Sequence, residues 1–392
     1  MRIGIDYTAA VWQGAGIGRY ARALVEALVR LDRENRYTLL YAAGFPGRPA
    51  PFLEHAARLR REHPHLRLRP LPLTDRYLAI LWQRLRLPIP VETFCGRLDL
   101  FYSPDFVLPP QLYGRRILTV HDLAYLIYPE CAVPALGWYL HRAVPRSIAR
   151  ADLILADSEC TRQDVIRLLG AAPGKVRTLY LGVEPAYRPR EGADLAAVRA
   201  RYNLPEQFLL TVGTVEPRKN LPRLCEALAG LPQALRLPLI VAGKPGWLYE
   251  ASFAAVERLG LGDTVRFLGF VPEADLPALY NLALAVAYPS LYEGFGLPPL
   301  EAMACGTPVL TSNVSSTPEV VGEAAVLVDP LDVAAIRAGL QALITDDALR
   351  ARLRAAGLER AKTLTWERAA EELRRMMLEM GAGGSPPEAR PA

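Results

Sequence analysis

Apolar and polar positions along this chain fall into two alternating blocks. In the first, Arg2 to Asp6, Tyr37 to Ala43, Leu98 to Pro104, Arg115 to Leu123 and Ala151 to Ser158 read as short strands. Their near-continuous apolar runs suit strands buried on both faces. Helical periodicity lies between them, in Ile17, Tyr20, Leu24, Leu28 and Leu31 and over residues 159–169. The second block repeats the grammar, with strands at 207–213, 238–243, 265–270 and 282–288. Its helices run from Leu221, over 271–280, 332–345, 347–361 and 365–380. Such alternation packs helices on both faces of a parallel sheet, so the chain predicts two facing, doubly wound, Rossmann-like α/β domains. We place the N-terminal domain at 1–183 and the C-terminal domain at 206–364. Pro, Gly and charges around 181–192 mark a linker, 184–205, and 381–392 reads as a disordered tail.

Three stretches carry candidate chemistry. The first is ALAVAYPSLYEGFGLPPLEAMACGTPVLT, 283–311. It reads as a strand, a glycine loop, a helix opening on Pro298 and Pro299, a C′ glycine at Gly306 and a further strand. Unpaired N–H groups at such a loop and helix start can hold an anion or sugar hydroxyls. Gly294 and Gly296 let the backbone approach a ligand, and Glu293 and Glu301 can each accept hydroxyl hydrogen bonds. The plainer reading is a strand-to-helix turn with two solvated glutamates.

Second, EPRKN (216–220) puts Arg218 and Lys219 at another strand-to-helix junction, where cations and amides can share one diphosphate; exposed loop charges are the plainer reading. Third, QGAGIGRY (13–20) is a glycine loop opening a helix, with Gly16 and Gly18 as candidate phosphate contacts. It is not the dinucleotide fingerprint, because Arg19 stands where the last glycine belongs, and it also fits a tight turn. His121-Asp122 falls at a strand's C-terminal end, the ligand edge of such sheets, although a lone histidine is more often structural.

Composition narrows the class. A 392-residue chain with 51% hydrophobic and 22% charged residues is that of a globular protein with two cores. No apolar run is long enough to span a bilayer, and MRIGIDY has no leader pattern, so a cytoplasmic location is expected. Five scattered cysteines without a C-x-x-C read as core thiols. Residues 1–183 hold 25 Lys/Arg against 16 Asp/Glu, +9, and the remainder 21 against 25, −4. A basic half can face phosphates or an anionic membrane. Within the Arg-rich, irregular stretch 51–97, DRYLAILWQRLRLP (75–88) mixes Tyr77, Leu78, Leu81, Trp82 and Leu85 with Arg76, Arg84 and Arg86. That suits a helix lying on a membrane surface, or a docked helix with snorkelling arginines. Nothing points to a nucleic-acid partner.

EGFGLPPLEAMACGTPV, with Glu, seven residues and Glu, resembles the family 4 retaining glycosyltransferases. TVHDLAYLIYPE (119–130), ADSECTRQDV (156–165), VGTVEPRKNLPRL (212–224) and VRFLGFVPEADLPALY (265–280) extend the resemblance over nearly the whole chain. Within the family it is most similar to bacterial mannosyltransferases of polysaccharide and glycolipid assembly. The resemblance implies the GT-B architecture, with residues 365–380 as the helix that crosses back onto the N-terminal domain. It implies transfer of a hexose, mannose favoured, from a nucleotide diphosphate sugar such as GDP-mannose to a glycan or lipid-linked acceptor. It further implies that Glu301 holds the ribose and Glu293 the donor sugar. The amides of Gly294, Phe295, Gly296 and Leu297 would meet sugar and phosphate, and His121 a sugar hydroxyl. Arg218 and Lys219 would stabilise the leaving diphosphate, the glycine loop at Gly16 and Gly18 would reach it, and Phe270 and Val271 would approach the base.

No Asp-x-Asp occurs, so no metal and no cofactor beyond the substrate is expected. One departure from many relatives is Thr214, where an arginine commonly follows the strand glycine. A same-fold nucleotide-sugar 2-epimerase, a glucosyl or N-acetylglucosaminyl transferase using a UDP-sugar, and a dinucleotide oxidoreductase are the rival readings. The failed fingerprint weighs against the last.

Overall fold

Residues 1–14, 16–44 and 50–381 are described by the computed structural model. They form two compact units. One holds Met1–Leu123, Pro134–Gly182 and the chain from Trp366; the other holds Ala124–Val133 and Val183–Thr365.

The first unit is built on seven strands, β1 (Arg2–Asp6), β2 (Arg36–Ala42), β3 (Leu66–Leu71), β4 (Leu100–Ser103), β5 (Arg115–Val120), β6 (Leu153–Ala156) and β7 (Val176–Thr178). They lie in the order β3-β2-β1-β4-β5-β6-β7, every pair parallel. Every residue of β4 and β6 is buried, as the unbroken apolar runs required. Helices cover both faces of such a sheet, and the strand order turns round between β1 and β4.

The glycine stretch differs from expectation. A short helix, Thr8–Trp12, follows β1, and the next helix already begins at Gly16 and runs to Leu31. Gly16 and Gly18 therefore sit in a first helical turn, not in an open loop. A Cβ on Gly18 would fall 2.0 Å from the Gln13 carbonyl oxygen and 2.9 Å from that of Ala9. Gly18 is thus what lets two backbones touch. Arg22, buried, donates to the carbonyls of Ala10 (2.8 Å) and Gln13 (2.7 Å), satisfying the end of the short helix. Against helix Gly16–Leu31 packs helix Trp366–Gly381, whose Trp366, Ala370, Leu373 and Met377 form one buried face.

The Arg-rich stretch is more regular than its sequence suggested. It contains helix Leu53–Glu62, β3 and, from Asp75, a helix that widens after Ala79 into a π-helical turn, Ile80–Arg84. Gln83 fastens that turn by donating to the Leu108 carbonyl. The 382–392 part of the expected tail lies outside the described residues.

The second unit has six strands, β8 (Leu209–Val212), β9 (Leu239–Ala242), β10 (Val265–Gly269), β11 (Ala285–Tyr288), β12 (Val309–Ser312) and β13 (Val326–Val328). Their order is β10-β9-β8-β11-β12-β13, again all parallel, reversing between β8 and β11. Leu209, Val241, Ala285 and Leu310 face a core closed by Leu224, Leu228, Ile336 and Leu340. The expected linker is partly a docked element. Helix Ala193–Arg201 lies in it, and Arg201 and Tyr202 both bond Asp275 at 2.7 Å. Ala124–Val133, read in sequence as part of the first domain, belongs here: Trp247 Nε1 donates to the Cys131 carbonyl at 2.6 Å. All five cysteines are free thiols.

The two helix-start glycines should respond oppositely to one methyl group. Gly18→Ala is expected to lose ~1–3 kcal/mol by overpacking against backbone. Gly16→Ala, with nothing within 4 Å of its Cβ, should be neutral or gain up to ~1 kcal/mol. Urea denaturation of both variants checks this; equal stabilities would refute the close-approach role of Gly18.

Candidate functional site

In a doubly wound sheet, ligands gather where the loops of adjacent strands diverge. In the second unit that point lies between β8 and β11, and the loops leaving these two strands carry Arg218, Lys219 and Glu293. The backbone ties them together: Leu291 N donates to the Arg218 carbonyl at 2.9 Å. Asn220, buried and in the left-handed region at φ 59°, donates its amide to the carbonyls of Pro289 (2.9 Å) and Pro330 (2.7 Å).

On this frame stands a compact ion cluster. Arg218 Nη1 donates to Glu293 Oε2 and to the Tyr292 carbonyl, and Nη2 to Glu216 Oε1, each at 2.7 Å. Lys219 Nζ lies 2.7 Å from Glu293 Oε1 and 2.6 Å from the Tyr288 hydroxyl, which itself donates to Glu293 Oε1 at 2.9 Å. Glu293 is buried, which alone would raise its pKa. Arg218 and Lys219 outweigh burial and hold it down at about 2. Burial and the neighbouring Arg218 lower the Lys219 pKa, with Glu293 opposing them. Two cations thus face two carboxylates, Glu216 and Glu293. Gly213, at φ 141°, takes a backbone conformation that side chains rarely adopt and lies beside the lysine stem.

The helix after the loop runs Leu297–Ala304, with Gly296 in the left-handed region (φ 99°) as its N-cap and Gly306 (φ 76°) beyond its end. Pro298 and Pro299 have no N–H, so the donors at this helix start belong to Gly294, Phe295, Gly296 and Leu297. Glu301 lies deeper than its motif suggested. It is 0% exposed, and its Oε2 accepts the Tyr280 hydroxyl at 2.7 Å. A ligand reaching it must first displace covering side chains. Phe270, after the edge strand β10, is 70% exposed, while Val271 points into the core.

His121 belongs to the first unit, at the end of β5. Both its ring nitrogens are engaged, Nδ1 with Asp157 Oδ2 at 2.8 Å and Nε2 with the Pro104 carbonyl at 3.2 Å. A hydroxyl approaching Nε2 would have to displace that carbonyl. Burial alone would lower the histidine's pKa, but Asp157, Asp105 and the Pro104 carbonyl push it up to about 9. The surrounding carboxylates and carbonyl thus favour the protonated ring. Tyr20 meets it edge-on at 4.8 Å.

Sequence reasoning missed Glu216, Tyr288, Asn220 and the β12 exit, Ser312–Thr317. One signal was available for the last: a polar run directly after a buried strand, at the same sheet edge as the other two loops.

Comparison with known proteins identifies the family and the fold. Residues 14–187 match the family described as Glycosyltransferase Family 4, and residues 197–360 that described as Glycosyl transferases group 1. The chain is 37% identical over 359 residues to O-antigen chain mannosyltransferase B of Escherichia coli, covering 90% of this chain and 93% of that one. It is 38% identical over 262 residues to the E. coli serotype-specific mannosyltransferase WbdA, covering 64% of this chain and 32% of the relative. Among solved structures, sucrose-phosphate synthase from Thermosynechococcus elongatus matches with a TM-score of 0.78 at 24% identity, covering 98% of this chain and 100% of that one. HepE of Anabaena, in complex with UDP and glucose, matches at 0.73 and 18%, covering 96% and 99%. The fold is that of the GT-B glycosyltransferases.

The raised pKa of His121 has a sign that can be measured. Its folded value, about 9, exceeds the ordinary 6.5, so its contribution to stability is complete below about pH 6.5 and is lost as pH rises through 9. Melting temperature should fall over that window, and His121→Gln should flatten the fall. A pH profile of the variant parallel to that of the wild type would show that the imidazolium is not formed.

Proposed function

This chain belongs to the family 4 glycosyltransferases, and we propose that it transfers mannose, with retention, from GDP-mannose to a hydroxyl of a glycan or lipid-linked acceptor. The observation that carries the reading is the meeting of Arg218 and Lys219 on Glu293, the residue just before the Gly294–Leu297 loop, where β8 and β11 diverge. A diphosphate leaves with growing charge, and fixed cations and amides stabilise that charge without reorganising. Without ligand, Glu293 is the counter-ion of both cations. The diphosphate takes that place when the donor binds, and the released carboxylate accepts hydroxyls of the sugar. The cations do the work a metal does elsewhere. With Thr214 at the position many relatives give to arginine, Arg218 carries more of the phosphate. Mannose is supported by the two mannosyltransferase relatives.

The test is a thermal-shift panel of GDP-mannose, UDP-glucose, UDP-N-acetylglucosamine and ADP-glucose in excess EDTA. A ligand that binds the native state raises the melting midpoint by mass action. GDP-mannose should give the largest shift, and EDTA should not abolish it. A larger shift with a UDP-sugar would move the assignment to the glucosyl or N-acetylglucosaminyl reading, and turnover of UDP-N-acetylglucosamine without acceptor to the epimerase.

The first unit, in this reading, rests on the inner face of the cell membrane. No helix among the described residues is long and apolar enough to cross one, so the attachment is peripheral. Tyr77, Leu85, Leu87 and Ile89 are exposed beside the exposed Arg84 and Arg86. Each basic residue near an anionic surface contributes about 1 kcal/mol, weakened by salt. The protein should sediment with anionic but not neutral vesicles, less so at high salt and after Arg76, Arg84 and Arg86 are changed together to Glu. Recovery in the supernatant regardless of lipid would leave a purely cytoplasmic enzyme.

A further inference from the structure

We propose that Ser315 and Ser316 are positioning residues that hold the Glu293 loop in its ligand-binding geometry; the proposal rests on the donor-site reading above. Three loops leave adjacent strands here, and the one after β12 braces the one after β11. Thr311 Oγ1 donates to the Tyr288 carbonyl at 3.0 Å, and the Ser312 hydroxyl donates to the Ser290 carbonyl. Ser315 Oγ accepts from the backbone N–H of Glu293 at 3.1 Å. Ser316 Oγ, fully buried, lies 2.9 Å from both the Glu293 and Phe295 carbonyls and shares its proton between them. Thr317 closes the bracing loop on itself through the Ser312 (2.7 Å) and Val314 (2.8 Å) carbonyls.

Two consequences follow. Glu293 is held by both its N–H and its C=O, so its backbone torsions are fixed while its side chain can still turn from the cations to the sugar. A trans peptide also points its N–H opposite to its C=O. By holding the carbonyls of Glu293 and Phe295, Ser316 directs the N–H groups of Gly294 and Gly296 away from itself. These are two of the amides assigned to the diphosphate and sugar. Ser315 sits at φ 56°, a conformation that side chains rarely adopt and that marks local strain kept for a purpose.

Ser316→Ala removes the bridging hydroxyl at nearly constant volume. Ser315→Gly removes the acceptor and at the same time relieves the positive φ, so it cannot fail by strain. Both variants are compared with the wild type for GDP affinity by calorimetry, for kcat and KM with GDP-mannose, and for melting temperature. Each should bind GDP about tenfold more weakly, the size of one lost hydrogen bond, and lose at least as much in kcat/KM. Ser315→Gly should do so with an unchanged or raised melting temperature, which a merely structural serine would not. Wild-type affinity and turnover in folded Ser315→Gly and Ser316→Ala would overturn the proposal, and should Ser316→Ala not fold, Ser315→Gly alone decides it. If the wild type itself binds neither GDP nor any nucleotide sugar, it is the donor-site reading that fails.

Discussion

The carboxylate of Glu293 keeps a full negative charge in a place almost without water. It can do so because Arg218, Lys219 and the Tyr288 hydroxyl all bond it. Burying one ion costs several kcal/mol, and only excellent geometry and further hydrogen bonds offset that cost. The surrounding structure supplies both: Glu216 accepts from the second nitrogen of the guanidinium, and Asn220 pins the β11 exit. The cluster is therefore pre-assembled rather than assembled by its ligand. In the proposed donor site, a diphosphate would exchange one counter-ion for another, which costs less reorganisation than gathering two solvated side chains.

The same economy explains the two prolines at the helix start. They would be a waste of donors if helix amides were to bind the anion. They are harmless once the donors come from the preceding loop, and they fix the torsions with which the helix begins. In the proposed site, loop and helix would divide the task, one contributing backbone N–H groups and the other a rigid base.

Much of this was legible in the residues. Strand positions followed from apolar runs, and strand, loop and helix at 285–304 from glycine and proline punctuation, because these signals are local. What stayed hidden depends on partners distant in sequence. The depth of Glu301 is set by Tyr280 and by a helix buried from Pro299 onward. His121 reads as an open strand-end histidine until Asp157, from the neighbouring strand, is seen to claim Nδ1. Gly16 and Gly18 read as phosphate-binding grammar, whereas Gly18 answers to a carbonyl of the short helix Thr8–Trp12, which no period reveals in five residues. The linker signal at 181–192 was real composition, but helix Ala193–Arg201 just beyond it docks through Asp275.

The helix Trp366–Gly381 has a consequence for how the chain reaches its native state. It completes the unit begun by Met1, and Arg374 pairs with Glu34 across 340 residues of sequence. On the ribosome the second unit, nearly continuous in sequence, can close as it emerges. The first must wait, with helix Gly16–Leu31 lacking one of its partners, until helix Trp366–Gly381 is synthesised. The order of synthesis is thus the reverse of the order of completion: the unit whose strands are made first is the one whose packing is finished last.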